Sequence, residues 1–537
     1  MTAETFDYII AGAGSAGCVL AARLSQSGRY QVLLLEAGGK DRSPWIHIPM
    51  GYPKLYTHPN INWRYEGEPD PGLNNRKVYH PRGKVLGGTS SINGMIYMRG
   101  NHADYDEWRQ RGCDGWSYES VLPYFKKSED QCRGENEYHG VGGPLGVSDQ
   151  PERGELTEAV IAAGVEAGFP LNEDFNGATQ DGIGYYQSTI AKSRRSSAAA
   201  AYLRPARGRM NLKVVTHAHA TRVLITDGRA TGIEYRTPRG MQVAHARGEV
   251  IVAGGVFNSP QLLQLSGIGP ADLLRQHGIA VIRDARQVGA NLQDHFINML
   301  LFRCEKPVTM NAFARCFWRQ AAACIQYAVL RNGPMANNGI CMGAFARSDP
   351  RLDRPDIQIN MRAWSIAERT KTSFILHPFH GFTLSSVHLR NDARGSVTIK
   401  SADPFAPPEI RLNFLQTKHD IDAVIFGMRL VRKISQQPAL APYVAEEIAP
   451  GPGVNTDAEF EADARTRANS NLHPVGTCRM GTDQDAVVDP RLRVNGVGRL
   501  RVVDASIMPS IVGGNTNAPT IMIAEKASDM ILEDARG

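Results

Sequence analysis

An α/β fold is predicted, built around a parallel, Rossmann-like βαβ unit at the start of the chain. Three observations predict it. Phe6–Ala11 (FDYIIA) is a short apolar run of the kind buried on both faces of a parallel sheet. Glycines follow at once, and Cys18–Leu24 (CVLAARL) then shows small and apolar residues at helical spacing. Gln31–Glu36 (QVLLLE) is a second buried strand, so that strand, turn, helix and strand occupy about 30 residues, the length of a βαβ unit.

The later elements follow from the same patterns. Leu156–Ala167 reads as a helix, Leu212–Thr216 and Arg222–Asp227 as strands. Glu249–Ala253 (EVIVA) is another buried strand, and Gly254-Gly255 lead into a helix near Ser259–Leu265. Gly395–Lys400 suits a strand and Asp420–Ser435 a helix. Leu500–Val503 and Pro519–Leu532 return to the strand-then-helix pattern of the start. A chain of 537 residues exceeds what one core normally supports. The predicted organisation is therefore a discontinuous first domain from residues 1–155, 208–295 and 463–537. Residues 156–207 connect it to a second domain at 296–462, a mixed α+β unit on an antiparallel sheet.

Composition excludes several classes. Hydrophobic residues make up 42% and charged residues 21%, as in ordinary globular proteins. The formal net charge of +6 is scattered, and its densest cluster, Lys192 to Arg195, is too short for a nucleic-acid footprint. The eight cysteines form no C-x-x-C pair, which argues against a disulfide framework or a zinc site and suits a cytoplasmic enzyme. No signal peptide or spanning segment is apparent, although peripheral membrane contact is compatible with the sequence. His217 and His219 share one strand face, and His377, His380 and His388 cluster loosely. Neither set brings a complete group of metal ligands, so no metal is expected.

Gly12-Ala13-Gly14-Ser15-Ala16-Gly17 is G-x-G-x-x-G, and here it follows a strand, opens a helix and precedes a strand ending in Glu36. That context makes it a dinucleotide fingerprint rather than a glycine-rich turn. Gly12 permits the tight turn, Gly14 the approach of a pyrophosphate, and Gly17 close packing of helix on strand. The helix N-terminus offers free N–H groups to phosphates, and Glu36 can accept ribose hydroxyls. The fingerprint alone does not separate FAD from NAD.

Longer segments do. Gly83–Asp106 (GKVLGGTSSINGMIYMRGNHADYD) resembles the first signature of the glucose–methanol–choline (GMC) oxidoreductases. Gly255–Gly269 (GVFNSPQLLQLSGIG) resembles their second, with Val256 at a position usually small. Asn471–Gly481 (NLHPVGTCRMG) and Val503–Thr520 (VDASIMPSIVGGNTNAPT) look like the catalytic region. The pattern is most similar to bacterial alcohol and choline dehydrogenases of that family, and it implies FAD. Arg82, Gly83, Gly87, Gly88 and Ser91 would then form a loop beside the flavin ring, continued by Asn93, Gly94, Met95 and Ile96. Glu36 and Ala37 would meet the ribose, the Val223 backbone the adenine, Ala253 and Gly254 the adenosine, and Asp504 and Ala505 the ribityl chain. Thr516, Asn517 and Pro519 would close the flavin's other edge. Ile92 stands where some members carry a flavin-linking histidine, so the FAD is expected to be non-covalent.

The resemblance also implies the chemistry. His473 matches the family's active-site histidine, and Asn517 is taken for the second active-site position. A histidine base builds alkoxide character on an alcohol, which makes hydride transfer to flavin N5 feasible. An asparagine N–H beside the same oxygen stabilises the developing charge. Asn517 is also a good cap for the helix that has Pro519 in its first turn. Choline-oxidising relatives use an aromatic cage with a nearby glutamate. Trp63 matches one wall, but Leu472 and Cys341 stand where an aromatic and the glutamate are expected. The expected reaction is oxidation of a primary, uncharged, apolar or aromatic alcohol to the aldehyde, with a quinone or dioxygen as acceptor. Choline dehydrogenase, alcohol oxidase and FAD-containing hydroxynitrile lyase are the alternatives.

Overall fold

The computed structural model describes residues 4–150 and 153–536. Two seven-stranded sheets organise it. The first runs Leu212–Thr216, Val32–Glu36, Glu4–Ala11, Gly240–Val252, Arg229–Thr237 and His219–Thr226, with Leu500–Val502 also paired to Gly240–Val252. Its core is parallel: Glu4–Ala11 lies between Val32–Glu36 and Gly240–Val252, and Val250–Val252 pair with Leu500–Val502. The near-continuous burial of Ile9, Ile10 and Leu33–Leu35 is what a sheet covered on both faces requires.

Gly240–Val252 is long enough, at 13 residues, to serve two partners. Its first half closes an antiparallel hairpin with Arg229–Thr237, and its second half joins the parallel core. The second sheet is antiparallel throughout. It runs Val444–Ala449, Phe296–Cys304, Gly381–His388, Ile357–Arg362, Met342–Ala346 and Gly182–Tyr185. The expected antiparallel second sheet is therefore present. Its last strand comes from the stretch 156–207, read from sequence as a connection.

Helix Ser15–Leu24 packs on the first sheet and against helix Asn517–Asp534. Both helices are apolar on most faces, which fits burial between layers. Between them, Glu525 is fully buried and receives a two-pronged hydrogen bond from Arg23 at 2.8 and 2.7 Å, with Lys127 at 3.5 Å. The two helices thus start from a common cavity and are tied together farther along. Among the described residues no helix is long and apolar enough to cross a membrane.

Candidate active site

One elongated cavity of about 1960 Å³, counted with its mouth, opens where the first sheet's strands end. Gly12, Gly14, Ser15 and Ala16 line it from the turn after Glu4–Ala11, Glu36 and Ala37 from the next strand end. Arg82, Gly83, Gly88, Asn93, Gly94, Met95 and Ile96 come from the 80–96 loop, with Ala253, Gly254, Asp504, Ala505, Thr516 and Asn517. Ligand sites at the carboxyl ends of parallel strands are the rule for such sheets.

Several expected cofactor residues act from behind the wall. The Ala13 N–H donates to Glu36 Oε2 at 3.1 Å. A Cβ at Gly17 would sit 1.9 Å from the Gly12 carbonyl oxygen, so its role is the close contact of helix and turn. Gly87 donates its N–H to the Ala13 carbonyl at 2.8 Å, and Ser91 Oγ to the Leu86 carbonyl at 2.7 Å. Pro519 is buried in the helix start, and Thr520 lines the cavity in its stead. The Val223 N–H donates to Ser266 Oγ at 2.8 Å, and Ala218, His219 and Ala220 line the wall beside it.

The residues fit a dinucleotide on physical grounds. Three helices, Ser15–Leu24, Gly255–Leu265 and Asn517–Asp534, begin at the cavity with no side-chain cap and no acidic residue in the first turn. At Gly255–Leu265 the first N–H already donates to Asp504 Oδ2 at 2.8 Å, while the starts of Ser15–Leu24 and Asn517–Asp534 leave donors and partial positive charge for an anionic cofactor. A Cβ at Gly14 would meet no atom within 4 Å, so the glycine keeps open the space a pyrophosphate needs. Glu36 is buried at its strand end, bonded to the Ala13 and Gly38 N–H groups, and burial pushes its carboxyl up to about 7. A carboxylate with two N–H partners has acceptor capacity left for ribose hydroxyls. FAD has the phosphates and hydroxyls this wall is made to receive.

The polar centre lies in the same cavity. His473 is held by its own backbone: its N–H donates to Asp294 Oδ1 at 2.7 Å, and Asp294 also accepts the Ser470 hydroxyl. Leu472 adopts a left-handed φ of 69°, costly for a bulky side chain. Ser470 Oγ accepts its N–H at 2.8 Å and Arg82 Nη2 donates to its carbonyl at 2.7 Å, and these bonds hold the strained turn. Burial and then the Arg82 charge push the His473 imidazole down to about 3. The ring is therefore neutral at ordinary pH.

The partner of His473 is Asn515, not Asn517. Asn515 Nδ2 lies 2.9 Å from His473 Nε2, whereas Asn517 Oδ1 accepts the Ser15 hydroxyl at 2.8 Å. The helix begins at Asn517 after an N-cap at Thr516. Asn515 lies outside the helix and its side chain reaches His473; Asn517 lies in the first turn and meets the glycine loop. A further residue, His295, was not singled out from sequence. Its Nδ1 is 3.0 Å from His473 Nδ1, with the rings nearly perpendicular. If Asn515 donates to Nε2, the His473 proton sits on Nδ1 facing His295, and the Nε2 lone pair is the acceptor that the Asn515 amide engages at the cavity wall.

The expected substrate residues separate. Leu472 lines the cavity. Cys341 lies behind it, with Sγ 3.2 Å from Asn337 Oδ1, and its neighbour Ile340 forms the wall. Trp63 lines the cavity, but the Lys84 ammonium already sits 4.3 Å from its ring centroid, which occupies that face as a cation site. His219 meets the Pro404 carbonyl and the edge of Trp63. His388 lies away from His377 and His380, beside His419 and Asp420, with donor atoms within 4.8 Å of one another.

Comparison with known proteins agrees with this geometry. The family models described as GMC oxidoreductase match residues 6–297 and 391–524. An alcohol dehydrogenase [acceptor] of Pseudomonas putida is 42% identical over 98% of this chain and 96% of its own. An oxygen-dependent choline dehydrogenase of Rhizobium johnstonii is 44% identical over 98% and 95%. Among solved structures, pyridoxine 4-oxidase from Mesorbium loti superposes with a TM-score of 0.88 at 31% identity, covering 97% of this chain and 98% of its own. With signatures, cavity and both family models in agreement along the chain, this protein belongs to the GMC oxidoreductases.

Proposed function

We propose that this enzyme holds FAD non-covalently and oxidises a primary alcohol to the aldehyde, with His473 as base and Asn515 as donor to the alcohol oxygen. The observation that carries the reading is the 2.9 Å pair of His473 Nε2 and Asn515 Nδ2 in the wall of a cavity fit for a dinucleotide. An alcohol hydroxyl entering between them would donate to Nε2 and accept from the amide. As its proton moves to Nε2, negative charge grows on the oxygen. The amide N–H stabilises that charge, and the charge in turn raises the proton affinity of the imidazole. The His295 contact at Nδ1 keeps the ring in the tautomer that can act. Bound FAD supplies the hydride acceptor. Ile92, packed with Ile46, Leu55 and Val85, offers no nucleophile for covalent attachment.

Electrostatics disfavours a cationic alcohol such as choline. Among the described residues, the only carboxylates in the cavity wall are Glu36 and Asp504, and both are already engaged by backbone N–H groups. Arg82 and Arg362 are the charged groups on the rest of the wall. The test is anaerobic addition of primary alcohols to the yellow holoenzyme. Neutral or anionic alcohols should bleach the flavin band near ~450 nm and choline should not, the chromophore being the cofactor. A protein that no alcohol bleaches would discard this reading in favour of a redox-silent lyase.

A surface feature supports a quinone met at a membrane. Helix Phe317–Leu330 exposes Phe317, Trp318, Ile325, Val329 and Leu330. Arg315, Arg319 and Arg331 accompany it, and no Asp or Glu occurs between Glu305 and Asp349. A basic helix with an exposed aromatic and aliphatic face suits peripheral contact with an anionic bilayer. Co-sedimentation with phosphatidylglycerol vesicles but not phosphatidylcholine vesicles is expected, and loss of it in Trp318→Ala. Wild-type protein that stays in the supernatant with both lipids would refute membrane contact.

A further inference from the structure

The cavity wall contains a half-buried cation with no counter-charge among the described residues. Arg362 ends the strand Ile357–Arg362, and Asn360, two residues earlier on the same face, lines the cavity with it. A guanidinium has five N–H donors. Arg362 makes one side-chain hydrogen bond, from Nη1 to Ser385 Oγ at 3.2 Å, and among the described residues no carboxylate lies within ion-pairing distance. Its electrostatic neighbours are the phenols Tyr52, Tyr56 and Tyr186 and a second cation, Arg369. Burial, the largest influence, depresses its pKa.

Three of the four most buried arginines among the described residues pair with carboxylates, and the fourth, Arg195, directs its donors to the Ile46 and Ser90 carbonyls and to Asn93 Oδ1. Arg99 pairs with Glu129, Arg501 with Glu249 and Asp534, and Arg354 with Asp104 and Glu107. A charge partly withdrawn from water into a cavity and left unpaired costs stability unless something binds it. Nearby polar groups are arranged to donate as well. Gln358 Nε2 donates to the Tyr186 hydroxyl at 2.8 Å, which donates to Asn360 Oδ1 at 2.8 Å. With its oxygen so engaged, the Asn360 amide has its two N–H donors free to offer the cavity.

Building on the proposed alcohol oxidation, we infer that the substrate carries an anionic group, most simply a carboxylate, bound by Arg362 and Asn360 at the end of the molecule away from the reacting hydroxyl. The fork of a guanidinium matches a carboxylate with two parallel N–H···O bonds, and a site without competing acid gives that pairing its full strength. The uncharged alcohol expected from sequence becomes a hydroxy acid. Arg362 is then a specificity residue, and His473 and Asn515 act on the other end.

Two measurements on the FAD-loaded enzyme decide it. Benzoate, which cannot be oxidised, is titrated against the visible flavin spectrum, with benzamide as the neutral match. Benzoate should bind at least about tenfold tighter than benzamide in wild type. That ratio should collapse in Arg362→Met and be partly kept in Arg362→Lys, since lysine keeps the charge but not the fork. The ratio of flavin reduction rates with 4-(hydroxymethyl)benzoate and its methyl ester should follow the same order. Equal binding of benzoate and benzamide to wild type, or an unchanged ratio in Arg362→Met, would overturn the proposal. Failure of both alcohols to reduce the flavin would sink the alcohol-oxidation reading, while the benzoate titration would still judge Arg362.

Discussion

At the scale of residues, the pair Asn515 and Asn517 gives the sharpest prediction. Asn515→Ala should lower kcat by ~10²–10³, the cost of removing a donor aimed at developing charge. Asn517→Ala should act mainly through the glycine loop, because its oxygen holds Ser15. It should retain kcat within about tenfold and lose flavin more readily on dialysis. Steady-state kinetics beside flavin content separates the two, and equal losses of kcat would refute the assignment to Asn515. Sequence made the histidine legible because His473 sits inside a long signature. It could not choose between two asparagines separated by one residue, since that depends on where the helix begins. His295 carried no signal either: its contact with His473 joins positions 178 residues apart. Arg362, at the end of an alternating strand, reads as an ordinary edge residue until the cavity behind it is seen.

At the scale of elements, the helices Ser15–Leu24 and Asn517–Asp534 were both readable from apolar spacing, and so was the glycine turn between strand and helix. These are local patterns in which period, turn chemistry and length agree. Their mutual attachment was not readable, because it rests on Glu525, an acidic residue within an apolar helix. Removing it leaves Arg23 without its partner in a mostly apolar contact. Glu525→Ala should therefore destabilise the fold by ~3–5 kcal/mol. Because both helices start at the cofactor cavity, bound flavin should fall as well. Thermal unfolding and the ratio of flavin to protein absorbance after gel filtration check this, and an unchanged melting temperature would count against the pin. The second sheet was legible only as a class. Its strands were not individually marked, because pairing such as that of Met342–Ala346 with Gly182–Tyr185 is decided by partners far away in the chain.

At the scale of the whole molecule, the strand-and-helix pattern near the C-terminus marked Leu500–Val502, which pairs with Gly240–Val252 in the first sheet. Val223 shows the limit of that kind of reading. The segment lies beside the cavity, and its N–H is held by Ser266, a contact that no local pattern marks. Patterns locate segments, and neighbours from other segments decide which atoms remain free to bind.

The strand Gly240–Val252, shared between a hairpin and the parallel core, gives the sheet an order of assembly. Its hairpin half has its partner immediately before it in the chain, whereas its core half pairs with Glu4–Ala11 on one edge and must wait for Leu500–Val502 on the other. A ribosome therefore releases the glycine turn and Glu36 early, but supplies the residues that close the cavity only after most of the chain has emerged. Such long-range pairing is slow and leaves unpaired edges exposed in the meantime. Loading of the flavin is then an event of the finished chain, and in a cell short of flavin the open-edged newborn protein becomes a client for chaperones or a target for proteases.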